Sequence, residues 1–186
     1  MKMKFLVALT LAIALCAAGM SFAVGEAYVG YRIGDKIEDF SFTGYDGTEY
    51  TLYGLLQEKQ AVLLNFWATW CGPCRSEFPM MDAAYQTFKD QVEIVALSVE
   101  EQDTDEVLAA FAEANGMSFI VGRDEAELYY TGFFSGYVPT SAIVDRTGTI
   151  CYAWYGSVTS AEAFEQLFEI FVGDDYDGPI LLGGES

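Results

Sequence analysis

The chain has 186 residues, a formal net charge of -19 at pH 7 and no histidine among its 28 acidic and 9 basic side chains. One domain with a real apolar core fits this length. The acidic balance excludes a nucleic-acid or anionic-membrane surface, and the missing imidazole excludes the chemistry that depends on it.

The first 23 residues set Lys2 and Lys4 before an apolar run from Phe5 to Ala18, with Ser21 and Ala23 around a cleavage point. That is the layout of an export leader, and an uncleaved anchor is the other reading. Cys16 is a poor lipid-attachment site because bulky Leu15 precedes it. Cleavage removes two lysines and no acid, taking the formal charge from -19 to -21. It leaves Cys71, Cys74 and Cys151, an odd set for an oxidising compartment.

Downstream there is no repeat or low-complexity linker, so residues 24 to 173 read as one unit and 174 to 186 as an acidic tail. Residues 40 to 56 alternate around Asp46-Gly47, a pair suited to a hairpin turn. Ala61 to Trp67 is a continuous apolar run broken by Asn65, as expected of a strand covered on both faces. From Cys71 onward, Phe78, Met81, Tyr85 and Phe88 recur at helical spacing, with Pro79 expected to kink that helix. A second buried strand follows at Val92 to Val99, then an acidic helix start and a helix ended by Asn115-Gly116. Ser118 to Val121 reads as a third strand, followed by a short helix. Residues 140 to 156 read as a hairpin turning at Asp145 to Gly148. A last helix is expected to begin at a capping box of Thr159 and Glu162, with Phe164, Leu167, Phe168 and Phe171 on its core face. Asp174, Asp175 and Asp177 hint at calcium, but the downstream acid of a calcium loop is missing.

The chemistry sits in Trp70-Cys71-Gly72-Pro73-Cys74. Two cysteines three apart on a first helical turn can close and reopen a disulfide with little backbone movement. Cys71 at the helix start faces unpaired N–H groups and the positive dipole end, which favour thiolate and place its expected pKa near 7 without a histidine base. Cys74, a turn further in, is expected to be more buried and to act second. Structural zinc lacks ligands, c-type haem lacks the histidine after the second cysteine, and a cysteine hydrolase lacks its base. An inert bridge is the remaining alternative.

The segment from Asn65 to Pro79, with Gly136 to Thr140 and Ala142 to Ile150, resembles thioredoxin-like proteins, particularly the exported TlpA/ResA type. The resemblance covers nearly all of the chain after the leader. It implies a thioredoxin fold: an α/β architecture with a central mixed sheet flanked by helices and an added N-terminal hairpin. It implies that Cys71 attacks, Cys74 resolves and Pro139 is cis, with Val138 offering backbone to an extended substrate and Trp70, Gly72 and Pro73 flanking the disulfide. Gly72-Pro73 matches the pair in thioredoxin itself, which points to a reducing poise. Asn65 stands where ordinary thioredoxins carry a titrating aspartate. Glu77 then either tunes the cysteines and moves a proton or is an ordinary surface acid. Cys151 is expected to be a buried inert thiol, with a small-thiol cap or an intermolecular bridge as alternatives.

The implied activity is extracytoplasmic thiol-disulfide exchange with protein partners, in the reducing direction and with cytochrome c maturation as one setting. The alternatives are a folding oxidant and a non-catalytic binding module. No cofactor is expected. An upstream membrane thiol reductant is implied as electron source, nucleic acid is not a partner, and membrane attachment requires the N-terminal segment to be retained.

Overall fold

A computed structural model describes residues 29–133, 135–173 and 176. The expected leader (1–23) lies outside the described residues, as do Asp174, Asp175 and Asp177 of the tail.

A short hairpin opens the fold, with β1 (Ser41–Thr43) antiparallel to β2 (Glu49–Thr51) across the Asp46-Gly47 turn. The alternation read through residue 56 does not continue as strand. Thr51 caps helix α1 (Leu52–Glu58) by accepting from the Gly54 N–H, and Leu52 and Leu56 turn one buried face inward. The central sheet has the order β5-β4-β3-β6-β7. Its strands are β3 (Ala61–Trp67), β4 (Val92–Ser98), β5 (Ile120–Arg123), β6 (Thr140–Asp145) and β7 (Ile150–Tyr155). β3, β4 and β5 pair in parallel, while β6 runs antiparallel to both its neighbours, β3 and β7, so the sheet is mixed as expected.

Every residue of β3, β4 and β6 is buried, because helices and loops cover both faces. On one face Leu63 and Trp67 meet α2 (Gly72–Phe88), α3 (Asp105–Asn115) and α4 (Ala161–Val172) through Phe78, Met81, Leu108, Phe164 and Phe168. On the other, Val62, Leu64 and Phe66 meet α1, the hairpin and a π-type turn at Tyr129–Phe133. α2 runs unbroken through Pro79, and α3 ends at Gly116, whose N–H returns to the Ala112 and Glu113 carbonyls.

Two sequence expectations shift. The third strand begins at Ile120 because its ladder with β4 pairs Ile120 to Arg123 with Val95 to Ser98. The cap of α4 is Ser160, not Thr159: Ser160 is extended (φ -142°, ψ 128°) and its hydroxyl accepts the Ala163 N–H. Thr159 lies one residue too early for that bond.

The N-terminal segment closes both sheet edges. Gly34 and Ile37 donate to the Ile150 and Gly148 carbonyls beside β7, and Ile150 donates back to Asp35. At the opposite edge, Tyr45 donates to Val121 and Gly44 bridges Gly122 of β5. Gly122 is required there: a Cβ would stand 2.4 Å from the Thr43 carbonyl oxygen.

Candidate active site

α2 begins where β3 ends, so the chain leaves the sheet at Trp67 and reaches the first helical turn within a few residues. Cys71 is the N-cap, and the Cys74 N–H points at its Sγ from 3.2 Å. The two cysteines form a disulfide with Cα atoms 5.3 Å apart. Pro73 sits in the first turn, where its missing N–H costs nothing. Cys71 is 2% exposed and Cys74 0%, so burial separates them less than expected. Position separates them better. Cys71 adjoins the exposed Trp70, Gly72 and Pro73, whereas Cys74 faces the core.

The loop opposite supplies the other wall. The Val138-Pro139 peptide is cis, and the Val138 carbonyl oxygen lies 3.5 Å from Cys71 Sγ. Three hydroxyls fasten this loop at one atom: Tyr129, Ser135 and Thr140 all donate to the Tyr137 carbonyl. Gly136 bends the chain just before it at φ +82°, a conformation that favours glycine.

The buried face of α2 that carries Cys74 also carries a polar group. Glu77 is on α2 three residues after Cys74, hence on the same helix face. It is fully buried. Asn65 Nδ2 donates to Glu77 Oε1 at 3.0 Å and to Ser141 Oγ at 2.9 Å, while the Val158 N–H donates to Glu77 Oε2 at 3.0 Å. Burial pushes the Glu77 carboxyl up to about 7, against the opposing pull of the Val158 and Asn65 N–H groups. The surface-acid reading of Glu77 therefore does not hold. Asn65 Oδ1, also buried, has no donor among the described residues.

Two further residues build the site. Asp103 is 2% exposed and accepts from the Thr69 N–H (3.0 Å), the Thr69 hydroxyl (2.6 Å) and the Ser98 hydroxyl (2.5 Å). It ties the residue pair before Cys71 to the end of β4. In the sequence it reads as one more helix-start acid, and nothing there marks its burial. Trp70 is exposed, and its indole N–H donates to Glu100 Oε2 at 2.9 Å. Arg75 is exposed with its guanidinium 5.8 Å from the Phe111 ring centre.

Cys151 is buried and free, with its sulfur 2.7 Å from the Tyr176 hydroxyl. Burial pushes its thiol up to about 12. It lies at the Asp145 end of the β6–β7 hairpin, whereas the disulfide faces the Val138-Pro139 end. Among the described residues no cluster of acids and cysteines is arranged to hold a metal ion.

The model of the AhpC/TSA family matches residues 33–153. The chain is 33% identical to the thiol-disulfide oxidoreductase ResA of Bacillus thuringiensis over 132 residues, 70% of this chain and 74% of that protein. Against the ResA of Geobacillus thermodenitrificans the identity is 28% over 174 residues, 91% of this chain and 98% of the other. Among solved structures, a thiol:disulfide interchange protein of the thioredoxin family from Chlorobium tepidum superposes with a TM-score of 0.66 at 26% identity, covering 80% of this chain and 100% of that one.

Proposed function

The chain belongs to the AhpC/TSA family and is a thiol-disulfide oxidoreductase of the ResA type, and on that premise we propose that it works outside the cytoplasm as a reductant of protein disulfides. The disulfide at the start of α2, facing the Val138-Pro139 loop, supports the exchange chemistry, and Gly72-Pro73 between its cysteines, the pair found in thioredoxin itself, favours the reducing direction. In the reduced form, the N–H groups of the first turn stabilise a Cys71 thiolate. That thiolate attacks one sulfur of a partner disulfide, the other partner sulfur leaves as thiolate, and a mixed disulfide forms. Cys74 then loses its proton and attacks Cys71 Sγ. The second partner sulfur leaves, and the intramolecular bridge closes. Two electrons pass to the partner, and an external dithiol must return them before the next cycle.

Glu77 is the group that takes the Cys74 proton. A carboxyl held near 7 by burial can accept and release it at neutral pH, which an ordinary surface glutamate cannot. Asn65 positions Glu77 by its hydrogen bond. Trp70, Gly72, Pro73 and Val138 form the rim that receives the partner chain, with Val138 supplying backbone beside the reacting sulfur. Residues 24 to 173 form the working unit after export. Exported cysteine pairs awaiting haem attachment are one substrate class for such a reductant, and a membrane dithiol is its electron source.

Insulin reduction by dithiothreitol tests the activity: the protein should accelerate it and Cys71→Ser should not. Equal rates with and without protein would remove the oxidoreductase role. The reduction potential tests direction. A value near about -270 mV supports reduction, and one near about -120 mV reverses it. Cys74→Ser should accumulate a covalent complex with the partner. For Glu77→Gln, a thiol titration and exchange rate identical to the parent protein would end the proton-transfer role.

A further inference from the structure

We propose that the rim around Cys71 and Cys74 is a docking surface for an extended partner segment that carries lysine or arginine beside its cysteine. The proposal rests on the exchange reaction just described and names the substrate class of that same site.

Large rings left in water surround the disulfide. Trp70 is 66% exposed, Tyr137 66% and Tyr155 68%. Tyr137 directly precedes the cis-proline pair and Tyr155 stands opposite Thr140 in the sheet ladder, so both belong to the wall facing Cys71. Their rings are stacked, with centres 5.9 Å apart and planes 22° from parallel. The stack forms a preset ledge, and the Tyr137 backbone beneath it is pinned by the Tyr129, Ser135 and Thr140 hydroxyls. Exposed aromatic rings on a rigid support are the usual anchors of a protein interface.

Charge decides which occupant fits. Beyond Trp70 opens a groove of about 230 Å³, lined in part by Glu100, Glu101, Glu125, Glu127 and Tyr130. Arg123, in the same groove, is already paired with Asp105 and Glu125. Glu100, Glu101 and Glu127 have no ion-pair partner among the described residues, and Glu100 is joined to the Trp70 ring. The nearest cation on α2, Arg75, lies over the Phe111 ring on the α3 side. A segment laid along the cis-proline wall thus meets carboxylates on one side and electron-rich ring faces on the other. Both attract an ammonium or guanidinium group. The formal charge of -19 adds a long-range field of the same sign, which speeds encounter with a cationic partner and slows it with an acidic one.

The test uses the reduced protein and two short peptides, identical except for lysine or glutamate on either side of a cysteine capped as a mixed disulfide with 2-mercaptoethanol. Second-order reduction rates are measured by stopped flow at low and at high salt. The lysine peptide should react about tenfold faster or more at low ionic strength, and the ratio should fall to about two at 0.5 M salt. The double substitution Glu101→Gln with Glu127→Gln should cut the low-salt ratio about threefold. Tyr155→Ala should slow both peptides together by about threefold or more. Equal rates, a preference for glutamate, or a ratio indifferent to salt and to the double substitution would overturn the cationic assignment. Unchanged rates in Tyr155→Ala would overturn the aromatic ledge. If neither peptide is reduced faster than by dithiothreitol alone, the exchange reaction itself falls, and the docking surface with it.

Discussion

Replacing Glu77 with glutamine removes one titration from the core and leaves the others in place. In the folded chain Glu77 keeps its proton to about pH 7, whereas in the unfolded chain it releases it near the ordinary value of 4.5. Between those values the native state binds more protons than the unfolded state, so stability falls as pH rises through the window and stays low above it. At about 1.4 kcal/mol for each pH unit, the ionised buried carboxylate costs about 3 kcal/mol by pH 8. Glutamine carries no charge and escapes this cost. It also presents an amide N–H₂ where two N–H donors now converge, which adds a loss of ~1–2 kcal/mol that does not vary with pH. The readout is therefore the difference between variant and parent across pH. Urea unfolding of the oxidised proteins at pH 4.5, 6 and 8 should show that difference moving by about 3 kcal/mol in favour of the variant. Buried Glu93 and half-buried Asp124, whose carboxyls burial also raises, titrate alike in both proteins and cancel. Unfolding midpoints that run parallel from pH 4.5 to 8 would refute the buried-acid assignment.

Asp103→Ala strips the acceptor from the Thr69 N–H and from two hydroxyls, and should cost ~2–4 kcal/mol in urea unfolding while slowing disulfide exchange. An unchanged midpoint and exchange rate would show that the loop before Cys71 is held by other means. Gly122→Ala forces a Cβ against the Thr43 carbonyl and should lower stability by ~1–3 kcal/mol; a melting temperature equal to the parent's would contradict the close approach. Cys151, buried with its thiol pushed up to about 12, should resist iodoacetamide at pH 8 in the oxidised protein until denaturant is added. Rapid labelling without denaturant would place it at the surface.

The strands of the central sheet were legible because apolar runs such as Ala61 to Trp67 admit few other uses, and the helix from Cys71 because its buried face repeats at 3.6 residues. Helix α1 was hidden inside a hairpin pattern: Leu52 and Leu56 are four apart, yet Thr51 and Tyr53 beside them also suit an alternating strand. Thr159 and Ser160 offer adjacent hydroxyls of similar capping strength, and only backbone geometry chooses between them. Glu77 falls on the stripe of Cys74, Phe78 and Met81, which was the available sign that it is buried. A carboxylate on such a stripe still reads as an exposed edge until Asn65 and Val158 are seen beside it. Asp103 was indistinguishable from its acidic neighbours, since its partners Thr69 and Ser98 come from other parts of the chain.

The way residues 34 to 37 strap onto residues 148 to 150 carries a consequence for biosynthesis. The earliest-made part of the fold finds its hydrogen-bonding neighbours only after the ribosome has produced nearly the whole chain, so a nascent polypeptide cannot seal its own sheet margin early. The margin at this edge therefore waits for the last strand to be made, and its completion is tied to the final stretch of synthesis.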